Sequence, residues 1–175
     1  VYWTDPYFFF SPKVPGITAS TKWLDAKSGR TFVLAFDIRL IDLGRFVSTL
    51  KVGQNGRTML LTDEGKIVGA TASFVRSDDD VMRIVLKTPG EAGFPNIAAA
   101  LKDWEAAARP WDDVRTVYGE GGTWLARFHS SPFGNGHFIF AVVAPESDFF
   151  PAALQRASLL FALLLCGVIV VAVVS

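Results

Sequence analysis

Residues 157–175 (ASLLFALLLCGVIVVAVVS) form an apolar run that contains no charged side chain. As a helix rising ~1.5 Å per residue, the run would be roughly 28 Å long, close to the ~30 Å hydrocarbon thickness of a bilayer. A helix of this length inside a protein core is rarely apolar on every face. The run therefore predicts a C-terminal transmembrane helix, and the more polar sequence before it must fold in water.

The charge balance and the cysteine count exclude several classes of protein. Lysine plus arginine and aspartate plus glutamate each number 17, so the chain lacks the basic excess expected of a nucleic-acid binder. The single cysteine, Cys166, lies inside the apolar run. A disulfide framework and a thiolate metal cluster are therefore excluded, and the sequence indicates neither a metal site nor a cofactor.

Runs of threonine, aromatic and branched residues predict strands near the N-terminus. The runs GITASTKWL (16–24) and RTFVLAFDI (30–38) flank the polar turn DAKSG (25–29), which predicts a β-hairpin. The aromatic run YWTDPYFFF (2–10) predicts a third strand, and Pro12 breaks its connection to the hairpin. Apolar residues at helical spacing then predict a helix over residues 40–51.

The rest of the chain before the apolar run predicts a second group of elements. Residues 57–61 and 66–70 read as two strands around a turn, and Pro95 is suited to the first turn of a helix ending before Pro110. Asp78, Asp79 and Asp80 are interpreted as a solvated loop. Three strand-like runs follow: DVRTVY (113–118), GTWLARFHS (122–130) and HFIFAVVAP (137–145). Two strands, a helix and three strands are the order of a small PAS-like fold with helices on one side of an antiparallel sheet.

Four stretches resemble consecutive signatures of the double Cache sensor domains, which are tandem PAS-like lobes outside the membrane in bacterial receptors. They are WTDPY (3–7), PGITAS (15–20), GRTFVLAFDIRLIDLGRF (29–46) and GQNGRTMLLTDEGKIVGA (53–70). The expected fold class is therefore α+β, with Cache lobes followed by the transmembrane helix. The resemblance divides the chain into the C-terminal part of a membrane-distal lobe truncated at its N-terminus (1–39), a connecting helix (40–53), a membrane-proximal lobe (54–147) and a juxtamembrane and transmembrane helix (148–175).

The resemblance also implies a ligand site in the distal lobe. Amino-acid-binding members of the family hold the ligand amine with a tyrosine and an aspartate, which match Tyr7 and Asp37 here. A carboxylate facing a cavity can hold an ammonium group by charge-assisted hydrogen bonds, and the ring of Trp3 could add an aromatic wall. Ala35 departs from the family, which has glycine at this position. The alternative for Asp37 is an acid placed near the N-terminus of the following helix, and for the rings it is packing of the sheet.

Other candidate residues carry weaker signals. His129 and His137 flank the turn-rich segment SPFGNG, where they could be cross-strand neighbours that bind a metal or titrate together, but no cysteine or carboxylate at ligand spacing completes such a site. Trp111 is expected to pack beside Trp104. We find no enzyme signature, since GEGG (119–122) lacks the lysine and hydroxyl residue of a phosphate-binding loop.

The sequence therefore predicts extracytoplasmic sensing of a small ligand, such as an amino acid, an amine or a carboxylate. The resemblance implies a homodimer in the bacterial inner membrane, with its lobes on the periplasmic side and an output domain outside this region. The amino-acid sequences of the first two motifs are most similar to those of Cache regions joined to adenylate or guanylate cyclases. A histidine kinase, a diguanylate cyclase or a chemoreceptor output, and a structural or dimerisation module that binds no ligand, are the alternatives.

Overall fold

The computed structural model describes residues 1–11, 13–134 and 136–149 of the chain. The predicted transmembrane helix lies outside the described residues, as does most of the juxtamembrane segment. In the described part of the chain, no helix combines the length and the apolar character needed to cross a membrane.

The N-terminal residues form a four-stranded antiparallel sheet, which we call sheet A. The predicted hairpin is confirmed as β3 (Pro15–Leu24) and β4 (Thr31–Arg39). The aromatic run forms two short strands, β1 (Tyr2–Trp3) and β2 (Tyr7–Phe8), which pair one after the other with the far edge of β3. Pro6 lies in the break between them, where a proline lacks the N–H that a continuous ladder needs.

The helix predicted over residues 40–51 is present as α1 (Leu40–Ser48), which ends three residues earlier than expected and follows β4 without an intervening residue. Its buried face carries Leu40, Ile41 and Val47, and these side chains join the core of the second sheet. The helix approaches that sheet closely, since a Cβ atom on Gly69 would lie 2.8 Å from the Cα atom of Gly44. Glycine at position 69 is therefore required for α1 to lie directly on the sheet.

The second sheet, sheet B, has five antiparallel strands: β5 (Arg57–Leu61), β6 (Ile67–Ala70), β7 (Val114–Gly119), β8 (Gly122–Phe133) and β9 (Gly136–Pro145). Their order is β6-β5-β9-β8-β7, so the first strand and the last strand are neighbours at the centre. Helix α3 (Pro95–Ala106) begins at the predicted proline and buries Trp104 against Phe128, with ring centroids 4.6 Å apart. The expected strands and the helix at Pro95 are present in the predicted order, with one further helix before α3.

The three aspartates expected in a loop instead begin a helix, α2 (Asp78–Ile84). The Ser77 hydroxyl accepts a hydrogen bond from the Asp80 N–H, and the Asp80 carboxylate accepts one from the Ser77 N–H. This reciprocal capping box satisfies N–H groups at the helix start, where negative charge is also favoured by the helix dipole. The loop interpretation was wrong because it counted the charges and overlooked the spacing between Ser77 and Asp80.

Candidate ligand-binding site

Tyr7 and Asp37, two of the residues predicted to bind ligand, lie on one face of sheet A and are joined through Thr18. The Thr18 hydroxyl donates a hydrogen bond of 2.7 Å to Asp37 Oδ1, and it lies 2.7 Å from the Tyr7 hydroxyl. Because a threonine hydroxyl has one proton, and Thr18 gives it to the carboxylate, Tyr7 must donate to Thr18. The result is a directed chain from the tyrosine through the threonine to the aspartate.

The register of sheet A explains why these three side chains meet. Thr18 is directly opposite Asp37 in the β3–β4 pair, and Tyr7 is opposite Gly16 in the β2–β3 pair. Directly opposed residues in an antiparallel sheet point to the same face, as do residues two apart on one strand. The side chains at positions 7, 18 and 37 therefore share a face even though the chain between them is long.

The same face continues along β3 beyond Thr18. Ser20 and Lys22 follow Thr18 at two-residue intervals on β3, and Tyr2 is opposite Ser20 in the β1–β3 pair. A cavity of about 510 Å³ lies here and is lined by Tyr2, Ser20, Lys22 and their neighbours Val1, Thr21 and Val33. This face thus presents hydroxyl groups, two tyrosine rings and a lysine in addition to the aspartate.

Tyr7 packs against Phe9. The Phe9 side chain is buried, although its neighbours Phe8 and Phe10 are exposed. The rings of Tyr7 and Phe9 meet edge to face with centroids 5.1 Å apart. Phe9 lies over Gly16, and a Cβ atom at position 16 would collide with its ring. The glycine of PGITAS therefore makes room for the phenylalanine that orients Tyr7.

Asp37 does not cap the helix that follows it. The N-cap residue of α1 is Arg39, whose side chain makes no cap hydrogen bond and instead pairs with Asp42 at 2.9 Å. The carboxylate of Asp37 is exposed and accepts a hydrogen bond from Thr18 on the face of the sheet. Its Oδ2 atom makes no hydrogen bond or ion pair within the described residues, so this oxygen is available to a ligand.

Trp3 lies on the opposite face of sheet A from Tyr7 and Asp37. It pairs with Ala19, whose side chain alternates with that of Thr18, and its ring packs edge to face on Phe133 with centroids 4.4 Å apart. A cavity of about 210 Å³ adjoins it between the two sheets, with acidic side chains on its wall (Asp5, Asp63 and Glu64). Sequence reasoning could not separate Trp3 from Tyr7, because the break at Pro6 interrupts the alternation between them.

The two histidines are not cross-strand neighbours, contrary to one interpretation of the sequence. His129 is opposite Phe140 and His137 is opposite Pro132. The register is set by the last pair before the turn, Phe133 with Gly136, and it places the two histidines at different levels of the hairpin. His129 Nδ1 lies 2.8 Å from Asp112 Oδ1, and this hydrogen bond is the main reason that the pKa of Asp112 is lowered, with Arg127 contributing. Among the described residues, no group of three or more histidine, cysteine, aspartate or glutamate side chains could hold a metal ion.

His137 lies beside the tryptophan pair that the sequence predicted. Trp104 and Trp111 pack edge to face with centroids 4.7 Å apart, and the His137 ring meets Trp111 at 5.4 Å. His137 Nε2 is 3.1 Å from Asp63 Oδ1, but the atoms are not aligned for a hydrogen bond. The Asp63 carboxylate also pairs with Arg109 at 3.0 Å, so these groups brace the end of α3 rather than form a site.

Sequence analysis missed Thr18, the residue that links the two matched positions. The signal was present, because the two-residue alternation of GITAS places residues 16, 18 and 20 on one face. What the sequence lacks is the pairing partner of each strand. Only the β3–β4 register brings Thr18 opposite Asp37.

Comparisons with solved structures identify the fold. The ligand-binding domain of the Pseudomonas fluorescens chemoreceptor CtaA in complex with L-leucine matches 85% of this chain and 55% of its own, with a TM-score of 0.52 and 18% identity. The ligand-binding domain of the Pseudomonas aeruginosa amino acid chemoreceptor PctC in complex with GABA matches 81% of this chain and 54% of its own, with a TM-score of 0.51 and 21% identity.

A third structure, the ligand-binding domain of the P. aeruginosa amino acid chemoreceptor PctB in complex with L-Arg, gives a TM-score of 0.51 at 16% identity and matches 85% of this chain and 56% of its own. The chain thus spans about 55% of the length of the domains it matches. Neither a protein-family model nor a curated protein sequence matches the chain. At these identities the likeness shows the fold alone, which this chain shares with the ligand-binding domains of these chemoreceptors.

Proposed function

We propose that this chain is part of a bacterial receptor and senses a small ligand with an amino group, bound on the open face of sheet A. The observation that carries this proposal is the hydrogen-bonded chain Tyr7–Thr18–Asp37. Thr18 occupies one oxygen of the Asp37 carboxylate and fixes its orientation, while the other oxygen stays exposed. An ammonium group placed there would donate a charge-assisted hydrogen bond to the carboxylate, and the hydroxyl of Tyr7 lies on the same face, on the other side of Thr18.

The ligand class follows from the chemistry of this face and from the structural neighbours. A carboxylate beside hydroxyl groups favours a primary ammonium over an anion. The matched domains are in complex with L-leucine, GABA and L-Arg, each of which carries such a group. Amino acids and related amines are therefore the first ligands to test. Trp3, on the opposite face, would act on such a ligand only indirectly, through the position of β1.

The two sheets support the proposed division into a membrane-distal part (1–39), a connecting helix (40–53) and a membrane-proximal lobe (54–147). In sheet B, β9 pairs with β8 on one side and with the first strand, β5, on the other. In sheet A, β4 occupies the position equivalent to β9, yet its second edge has no partner among the described strands. We infer that a strand preceding Val1 fills this edge and completes a distal lobe that resembles the proximal one.

The proposed location is the bacterial inner membrane, with both lobes on the periplasmic side and residues 148–175 leading into and through the bilayer. The support is the uncharged run 157–175 together with the shared fold of chemoreceptor ligand-binding domains. We propose a homodimer, as the family resemblance implies. For the output, a nucleotide cyclase and a chemoreceptor, histidine kinase or diguanylate cyclase are equally compatible with this region, and the sequence after Ser175 would decide among them.

Calorimetric titration tests the binding proposal directly. The protein would include the residues before Val1 and would be titrated with the protein amino acids, with GABA and with a carboxylate that lacks an amine, such as acetate. We expect binding by at least one amine ligand, no binding of acetate, and a loss of at least tenfold in affinity for Asp37→Asn.

Asp79→Asn is the matched control, because Asp79 is an exposed aspartate on α2, away from sheet A. This variant should bind like the wild type. If no amine ligand binds, or if both variants bind equally well, sheet A is not the ligand site. The structural-module alternative would then be favoured, and it predicts that dimer formation survives without any ligand.

A further inference from the structure

Asp148 ties the segment that enters the sheet B lobe to the segment that leaves it. This residue ends the short 3-10 turn Glu146–Asp148 after β9. Its Oδ2 atom accepts hydrogen bonds from the backbone N–H groups of Gln54 at 2.9 Å and Asn55 at 2.6 Å. Its Oδ1 atom accepts a third bond, of 2.8 Å, from the Asn55 side-chain amide. We call these contacts between Asp148 and the loop 53–55 the Asp148 clamp.

The loop is shaped to receive the carboxylate. Gly53 has a φ angle of +60°, which lies in the left-handed region that side chains other than glycine rarely adopt. A Cβ atom at this position would also lie 2.7 Å from Asp148 Oδ2. Glycine is thus favoured twice here, by the backbone conformation and by the close approach of the carboxylate. The N–H groups of the loop, led by that of Asn55, lower the pKa of Asp148 and so favour its ionised form.

The clamp lies at the end of a short structural route from sheet A. Asp37 is on β4, β4 runs directly into α1, and α1 is followed by the loop 53–55. Packing fixes the position of this helix on sheet B, because Leu40 and Val47 are fully buried and Gly69 lets the helix lie directly on β6. A displacement of α1 would therefore move the loop, and the loop holds the residue at which the chain leaves the lobe.

We propose that the Asp148 clamp is the device that transmits movement of α1 to the chain after Phe149. The alternative route runs through sheet B itself, from β6 across β5 to β9, since these strands are neighbours. The two routes make different predictions when the clamp is removed. A role for the Asp148 clamp in signalling rests on the proposed receptor function. The mechanical link between α1 and the exit segment can be tested without any ligand.

The test displaces α1 by mutation and follows the exit segment by NMR. Gly69→Ala places a methyl group against the α1 backbone and must push the helix away from the sheet. In 15N-resolved spectra of the 175-residue chain, held in solution with a mild detergent, we expect shifts of the Gln54 and Asn55 amides and also of the Asp148 and Phe149 amides. When Gly69→Ala is combined with Asp148→Ala, the shift of the Phe149 amide should fall by at least half while those of the loop persist.

Glu146→Ala is the matched control, since Glu146 is an exposed acid on the same 3-10 turn. Combined with Gly69→Ala, it should leave the response of Phe149 unchanged. If Gly69→Ala prevents folding, combining it with Val47→Ala gives a milder displacement, because Val47 Cγ2 would lie 3.3 Å from the new methyl group and is removed in the double variant. An equal response of Phe149 with and without the Asp148 carboxylate would overturn the proposal and favour the sheet route. No response of Phe149 in either background would overturn both routes. Neither result would bear on ligand binding by sheet A, which the titration tests separately.

Discussion

Thr18 lies directly opposite Asp37 in the β3–β4 pair and donates a 2.7 Å hydrogen bond to its carboxylate. The Thr18 hydroxyl also accepts a hydrogen bond from the Tyr7 hydroxyl, so it contacts both of the residues on this face that were predicted to bind ligand. In the proposed site, Thr18 would act on binding through the positions of Tyr7 and Asp37. The proposed site therefore depends on a side chain that neither its residue type nor its position in the sequence singles out.

Replacing Thr18 with valine tests this dependence. Valine has nearly the same shape but lacks the hydroxyl, so Asp37 loses a hydrogen bond that orients it and Tyr7 loses its acceptor. Hydrogen bonds to charged groups contribute about 1.5–3 kcal/mol, so we expect at least a tenfold loss of affinity for the amine ligand by calorimetric titration. Thr18→Ser retains the hydroxyl and should bind within about threefold of the wild type. Equal affinity of the valine and serine variants would contradict the role given to Thr18.

Replacing Ser77 with alanine tests the helix that sequence reasoning missed. Removing the Ser77 hydroxyl leaves the Asp80 N–H without its cap, and loss of a serine cap costs about 1 kcal/mol. Helix α2 also holds α1, because Asp78 pairs with Arg45 at 2.8 Å. We expect urea unfolding, followed by tryptophan fluorescence, to show the decrease. Ser77→Thr keeps a capping hydroxyl and should lose less than half as much stability, whereas equal losses would show that the cap is unimportant.

The same helix shows how far sequence alone could go. Alternation, helical spacing and turn residues were sufficient for the sheet B strands, α1 and α3, because each is long or bounded by proline or glycine. Helix α2 is short, and the only sequence signal for it is the three-residue spacing between Ser77 and Asp80. An interpretation based on the number of charged residues does not detect that spacing. The partnership of Thr18 with Asp37 could not be read at all, since it depends on strand register, and register is set by pairing across the sheet.

The free energy that Asp148 contributes should depend on pH in a defined direction. Its pKa is lowered in the folded protein, mainly by the Asn55 N–H and amide groups, relative to an ordinary value of about 3.9. The contribution of the ionised carboxylate is therefore complete above the unfolded-state pKa and is lost as the pH falls through the lower folded-state pKa. The stability difference between the wild type and Asp148→Asn should be constant from about pH 7 to 5 and should shrink below about pH 4. Urea unfolding of both proteins across this range measures it, and a difference independent of pH would show that the clamp does not rely on the charge.

Trp3 and Tyr2 are adjacent in the sequence but face opposite sides of sheet A, and this provides the sharpest test of which face binds ligand. Trp3 packs on Phe133 of the β8–β9 hairpin, whereas Tyr2 is 61% exposed and lines the cavity beside Ser20 and Lys22.

Trp3→Ala should lower the free energy of unfolding by about 2 kcal/mol, since the ring is only partly buried, and should change ligand affinity by less than about threefold. Tyr2→Ala should do the reverse, with little loss of stability and a clear loss of affinity. Calorimetric titration and urea unfolding of the two variants side by side measure both effects. If Trp3→Ala weakened binding as much as Tyr2→Ala, the ligand would have to contact the face of sheet A that meets sheet B, and the site proposed around Asp37 would be wrong.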